Sequence, residues 1–182
     1  EKLSIDEAFL DVSGARRLLG SPAEIGWMLR EKVRSETGLA CSVGIAPSKF
    51  IAKVASGRAK PDGLLVIPAD GVLDFLHPLP VSALWGVGKV TEESLTRLGL
   101  RTVGDVAAMP VDALERSLGP ALAQKLARLS RGIDPRDVST TREEKSIGNE
   151  TTFAQDVADL AIIEAQARVL ADQTASRLRA SG

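Results

Sequence analysis

The spacing of apolar and polar positions changes period several times along this chain. The opening stretch, KLSIDEAFLDVS, places Ile5, Phe9 and Leu10 in a strand-like or hairpin-like run. In SPAEIGWMLREKVRSETG, the apolar residues Ile25, Met28, Leu29 and Val33 fall at helical spacing. Ser21 predicts the N-cap, Pro22 the first helical position and Glu24 the second half of a capping box. Gly38 predicts the helix end. LACSVGIA reads as a short buried strand, PSKFIAKVASGRAKPDG as a second helix stopped by the KPDG turn, and LLVIP as another strand. Residues 1–68 thus predict a β-α-β-α-β order, an α/β or α+β half-domain.

After Pro68 the strand pattern stops. Short helical segments broken by Gly and Pro continue to about Asp134, which predicts a compact helical module. PRDVSTTREEK is polar and without periodicity, as a linker would be, and SIGNETTFAQDV carries strand-forming residues. A long amphipathic helix follows, with Leu160, Ile163, Ala167, Leu170, Thr174 and Leu178 along one face. A lone strand and helix leave a face uncovered, so this last unit reads as incomplete. The start at Glu1, almost inside a strand, likewise reads as a cut.

Composition narrows the chemistry. The chain has 182 residues, 44% hydrophobic and 26% charged, which is ordinary for globular proteins. No run of 18 apolar residues is present to span a membrane. A single cysteine, Cys41, excludes an internal disulfide and suits a reducing cytosol. A single histidine, His77, excludes a histidine-rich metal site, so any metal would be a hard, oxygen-liganded cation such as magnesium. The net charge of −1 counts against an extended nucleic-acid surface. Locally, however, Lys49, Lys53, Arg58 and Lys60 form a cationic run free of acids. It could be a solvated helix face or an anion contact.

Asp6 and Glu7 are adjacent carboxylates inside an apolar run. On a regular strand one of them would face the core, at a high cost for an unpaired charge. They therefore require either a turn in solvent or a cationic partner. Paired carboxylates near a basic segment suit magnesium-assisted phosphoryl transfer. LWGVGKVTEESLTRLGL has the pattern of a helix-hairpin-helix. Its first helix would end near Trp85, Gly86 and Gly88 would flank Val87 in a tight hairpin, and Leu95 and Leu98 would lie on the second helix. Glycines there permit positive φ and close backbone approach, and amides opening the second helix suit a phosphate. A plain helix connector is the alternative. LGPALAQKLARL resembles the second half of a paired hairpin module. Lys60, in AKPDG, reads either as a last-turn helix cation or as a point charge aimed at a triphosphate.

Taken together and in this order, SIDEAFLDVSG, CSVGIAPSKFIAKVASGRAKPDGLLVI, LPVSALWGVGKVTEESLTRLGLRTVGDVA and KSIGNETTF resemble the Y-family translesion DNA polymerases, in their DNA polymerase IV (DinB-like) branch. The resemblance spans essentially the whole chain. It implies an α+β fold: a partial palm (βαβαβ) over 1–68, an all-α helix-hairpin-helix thumb over 69–134, a linker over 135–144, and the truncated start of an α/β little finger over 145–182. It implies template-directed DNA synthesis past damaged bases by two-metal nucleotidyl transfer.

By the same resemblance Asp6 and Glu7 are two of three metal-binding carboxylates serving two Mg²⁺ ions. Asp6 would bridge the metals and Glu7 would bind the one at the primer 3′ oxygen. Neighbouring residues can share such a site only if the backbone turns, so a tight hairpin turn is expected at Asp6–Glu7. Lys60 would contact the incoming triphosphate, and Gly86, Gly88, Lys89 and Lys53 would contact DNA. The implied partners are primer-template DNA, deoxynucleoside triphosphates and, through regions absent here, a sliding clamp. The implied location is cytoplasmic and nucleoid-associated, with no membrane contact. The family's remaining carboxylate and its fingers fall outside this sequence, so the chain alone is expected to be inactive. The competing reading is a non-catalytic DNA-binding helix-hairpin-helix module. Such a relative would be expected to have lost one of Asp6, Glu7 or Lys60, and all three are present.

Overall fold

The computed structural model describes residues 1–141 and 146–181, so the junction expected at 144/145 lies outside the described residues. The chain divides into two units, Glu1–Ser139 and Thr140–Gly182.

The first unit opens with a hairpin rather than a strand. Lys2 and Ala8 form an isolated antiparallel bridge, and the Leu3 N–H donates to the Glu7 carbonyl at 2.9 Å. The hairpin contributes no strand to the sheet, which corrects the first element of the expected β-α-β-α-β order. The reason is local. The Ser4 hydroxyl donates to Asp6 Oδ1 at 2.6 Å, a side-chain turn that competes with extended pairing. A 3-10 turn at Ser13–Ala15 then runs into α1 (Arg16–Leu19).

Helix α2 (Pro22–Thr37) carries both halves of the capping box at Ser21 and Glu24, and ends at Gly38 in the left-handed region with φ 72°. Strands β1 (Val43–Ile45) and β2 (Leu64–Val66) pair in parallel, Val43 opposite Leu64, with α3 (Lys49–Arg58) as the crossover. Two glycines allow the layers to close. A Cβ on Gly26 would meet Leu64 Cδ1 at 2.6 Å, and one on Gly44 would meet the Ala52 carbonyl oxygen at 2.0 Å. So the backbone of α2 packs directly on the sheet's side chains at Gly26, while α3 and β1 meet backbone to backbone at Gly44.

The helical part follows as α4 (Val72–Leu76), a 3-10 turn at Val81–Ala83, α5 (Lys89–Arg97), α6 (Val103–Ala108), α7 (Val111–Leu118) and α8 (Pro120–Leu129). Phe50 and Ile51 of α3 share one apolar cluster with Leu76, Leu84, Leu95, Leu114 and Leu126, all fully or almost fully buried. The core therefore runs without a break from the crossover helix through the helical module. Each large aliphatic buried in this way contributes on the order of 1.5–3 kcal/mol.

In the second unit α9 (Leu160–Ala180) starts at Asp159, whose carboxylate accepts from the Ala161 N–H at 2.8 Å. Asn149 Nδ2 donates to Thr174 Oγ1, and Arg177 to the Gly148 carbonyl, so an extended segment lies along this helix. The strand expected after residue 145 forms no ladder among the described residues, because nothing there offers it an edge to pair with.

Candidate functional site

Asp6 and Glu7 sit on the exposed side of the N-terminal turn, as the requirement for a turn in solvent or a cation anticipated. Both conditions are met. The Lys53 ammonium donates to both Glu7 carboxylate oxygens, at 2.8 and 2.9 Å. Asp6 is held below the usual carboxylate range first by the Ser4 hydroxyl, then by its own backbone N–H, with smaller help from the charges of Lys60 and Lys53. The structure thus brings Asp6, Glu7, Lys53 and Lys60 into one electrostatic neighbourhood.

The hairpin at Gly86–Gly88 lies beside this turn: Lys53 reaches both Glu7 and the Trp85 ring, and Phe9 of the turn region packs on Trp85. Its first arm is shorter than expected. A single 3-10 turn precedes Trp85, because Pro80 fixes the entry and Leu84 is already extended. Pro80 bridges Thr102, and the Val81 N–H donates to the Arg101 carbonyl at 3.0 Å, which anchors the hairpin to the loop before α6. The two glycines do different things. Gly86 takes φ 101°, and the Val87 N–H closes the turn on the Leu84 carbonyl at 3.0 Å. Gly88 has φ −91° and ψ 178°, an extended conformation open to any residue. It caps α5 without a side chain, and nothing lies within 4 Å of where its Cβ would be. The first amides of α5 have no intrahelical acceptor, so an anion can reach them. Lys89, the first residue of α5, is exposed beside them.

Lys53 joins the two features. Besides holding Glu7, it lies 5.8 Å from the Trp85 ring centroid. It also lines, with Phe50, Val54, Arg58, Trp85 and Gly86, a cleft of about 400 Å³ between α3 and the hairpin.

Sequence reasoning missed a cluster around Trp85. The Phe9 ring lies 5.9 Å from it, and the Arg136 guanidinium stacks 4.2 Å above it. Arg136 pairs in turn with Asp134 at 2.6 Å, and Asp134 accepts the Phe50 N–H at 3.1 Å, capping α3. Burial alone would raise the Asp134 pKa, but Arg136 outweighs it and the group is shifted down. Glu1 pairs with Lys49 at 2.6 Å and accepts the Ser139 N–H at 2.9 Å. Arg136 and Ser139, from the stretch read as a linker, are therefore tied through Asp134 and Glu1 to α3 and the N-terminal hairpin. The usable signal was Trp85 itself, one of two tryptophans in a chain that is only 3% aromatic.

For a metal, the donor set is partial. Among the described residues no group of three or more His, Cys, Asp or Glu side chains is arranged to hold one. Two carboxylates on one turn nevertheless match what Mg²⁺ takes from a protein when phosphate and water oxygens complete its shell. Lys53 holds the place of a cation at Glu7.

Three family models together match most of the chain. The model of the impB/mucB/samB family matches residues 1–57, and that of the family's C-terminal domain matches residues 144–182. Between them, the model described as the DNA polymerase-iota thumb domain matches residues 82–134. A DNA polymerase IV 2 of Mesorhizobium japonicum is 47% identical over 180 residues, 99% of this chain and 43% of that protein. A DNA polymerase IV of Ralstonia nicotianae is 43% identical over 178 residues, 98% of this chain and 50% of that protein. Among solved structures, a Y-family DNA polymerase chimera of Dbh and Dpo4 superposes with a TM-score of 0.84 at 28% identity, over 97% of this chain and 51% of that one. DinB from Sulfolobus solfataricus gives 0.67 at 30% identity, over 75% of this chain and 40% of that one. The chain spans about half the length of these relatives.

Proposed function

Because the chain belongs to the impB/mucB/samB family, in the DinB-like branch of the Y-family DNA polymerases, we propose that it serves template-directed DNA synthesis past damaged bases. The activity is proposed for a protein of the relatives' full length that contains this chain. The observation that carries the reading is the meeting of Asp6, Glu7, Lys53 and Lys60 beside the Gly86 hairpin. That is an acidic turn for a metal set against cations for phosphates. No helix among the described residues is long and apolar enough to cross a membrane.

In this reading residues 1–68 are palm, 69–134 thumb, 135–144 linker and 145–182 the start of the little finger. Asp6 and Glu7 hold divalent cations, two Mg²⁺ ions, which when bound supply Lewis-acid stabilisation of the charge that develops on the phosphoryl oxygens. Asp6 arrives ionised, because the Ser4 hydroxyl fixes its carboxylate and lowers its pKa. Lys53 neutralises Glu7 in this structure. Lys60, a flexible point charge, meets the triphosphate of the incoming nucleotide. Gly88 leaves space for a DNA phosphate at the α5 amides, with Lys89 adding charge. Such contacts set the register of the duplex without reading its sequence. Primer-template DNA and deoxynucleoside triphosphates are the substrates. A sliding clamp would bind elsewhere in the longer protein, in a cytoplasmic, nucleoid-associated setting.

The test is magnesium-dependent primer extension by the full-length protein carrying Asp6→Asn. The expected loss is on the order of 10³-fold, equivalent to about 4 kcal/mol of transition-state stabilisation. Extension at the wild-type rate would favour the non-catalytic DNA-binding module instead.

A further inference from the structure

Arg30 is the most heavily engaged side chain outside the site. It lies on α2 and its side chain is only 11% exposed. Its Nε donates to the Cys41 carbonyl at 2.9 Å. Its Nη2 donates to Asp62 twice, to the backbone carbonyl at 2.5 Å and to Oδ1 at 2.8 Å. Its guanidinium stacks 4.6 Å from the Trp27 ring centroid. Arg34, one helical turn on, donates to the other Asp62 oxygen. Every polar atom of the Asp62 side chain is thus held from α2.

Asp62 belongs to the turn that carries Lys60. That turn is tight: a Cβ on Gly63 would lie 2.3 Å from the Ala59 carbonyl oxygen, so the chain doubles back against the end of α3. Lys60 has a long, flexible stem and no ion pair of its own among the described residues. Where its ammonium can reach is therefore set by where the turn is fixed; backbone bonds to α3 and β1 hold its two ends, and Asp62 is its side-chain tie to α2. The fork of an arginine suits this task, since it can grip a carbonyl and a carboxylate together, which a lysine cannot.

We propose that Arg30 and Asp62 are positioning residues for Lys60: the clamp from α2 holds the KPDG turn so that the Lys60 ammonium is presented to a triphosphate at the Asp6–Glu7 turn. This rests on the reading of Lys60 as a triphosphate contact. The clamp itself touches no substrate. Among substrate contacts, its loss should cost that of Lys60 alone.

A double-mutant cycle in the full-length protein separates the possibilities, with nucleotide KM, kcat and primer-template affinity measured for each variant. Asp62→Ala should raise the nucleotide KM about five- to tenfold, with kcat and DNA affinity within about twofold of wild type. In a Lys60→Ala background the same change should have almost no further effect. Arg30→Lys should give part of the increase. Asp62→Asn, which keeps the shape and one acceptor, serves if Asp62→Ala fails to fold, and should show the same dependence on Lys60. Equal KM effects with and without Lys60, or no KM effect in a folded variant, would overturn the clamp while leaving the Lys60 reading intact. A Lys60→Ala variant with unchanged nucleotide KM would overturn both.

Discussion

Around α3 and the helical module Phe50, Leu76, Leu95 and Leu114 are fully buried, whereas in the first twenty residues Ile5, Leu10 and Leu18 are 95%, 62% and 88% exposed. The two regions hold their shapes by different means. The helical module closes over one continuous apolar cluster. The N-terminal hairpin is fastened to it by the Glu1–Lys49 and Glu7–Lys53 ion pairs and by the Phe9–Trp85 ring contact. The Glu7–Lys53 pair is open to solvent, with side chains 42% and 32% exposed, and such pairs contribute little to stability, typically below about 1 kcal/mol each. The carboxylates of the site therefore sit where the fold depends on them least. The charges proposed here to meet a metal can be changed there without disturbing the scaffold, and the scaffold can be tested without touching a charge.

The largest expected effect is on the scaffold side. Gly44→Val would force a side chain against the Ala52 carbonyl and the Ser56 amide, backbone atoms that cannot step aside. Overpacking of this kind should cost about 3 kcal/mol or more. Chemical denaturation should show a loss of that size or no cooperative transition at all.

An intermediate effect separates the two hairpin glycines. Gly86→Ala places a side chain at φ 101° and should cost about 1–2 kcal/mol of stability. Gly88→Val, at an extended φ with open space around it, should melt like the wild type. It should weaken primer-template binding about tenfold by blocking the approach of a phosphate, roughly 1.4 kcal/mol. Thermal melts beside fluorescence binding titrations would check both. A Gly88→Val protein that melts early would show that Gly88 belongs with the scaffold after all.

The smallest effect is the pH dependence of the α2 clamp. Asp62 has a lowered pKa, chiefly through the Arg30 hydrogen bond, with burial opposing it and Arg34 adding to the decrease. A depressed carboxylate stabilises the fold above its unfolded pKa, near 4, and loses that contribution as pH falls through the lower folded value. The stability advantage of wild type over Asp62→Asn should therefore be constant near neutrality and shrink below about pH 4. An advantage that grows on acidification would contradict the pairing.

Much of this architecture was legible in the sequence where local chemistry decides it. Ser21, Pro22, Glu24 and Gly38 set the ends of α2 through their own side chains and backbone preferences. The side-by-side Asp6 and Glu7 called for a turn in solvent or a cationic partner, and both are present. What was not legible depends on distant pairing. Nothing near Arg136 in sequence says that it stacks on Trp85, fifty-one residues earlier, and nothing near Arg30 points to Asp62. The opening run read as a strand or a hairpin because Ile5, Phe9 and Leu10 are apolar. Whether they pair is settled by the Ser4–Asp6 hydrogen bond, not by hydropathy. The two hairpin glycines were indistinguishable by type, and only the backbone shows that Gly86 alone needs its freedom.

The separation of scaffold from chemistry is tested most directly by measuring unfolding free energy and magnesium-dependent primer extension on the same preparation of full-length Asp6→Asn protein. The account predicts stability within about 0.5 kcal/mol of wild type, as for an exposed surface change, together with an extension rate lowered by about 10³-fold. A loss of stability as large as that of a core substitution, or extension at the wild-type rate, would contradict it.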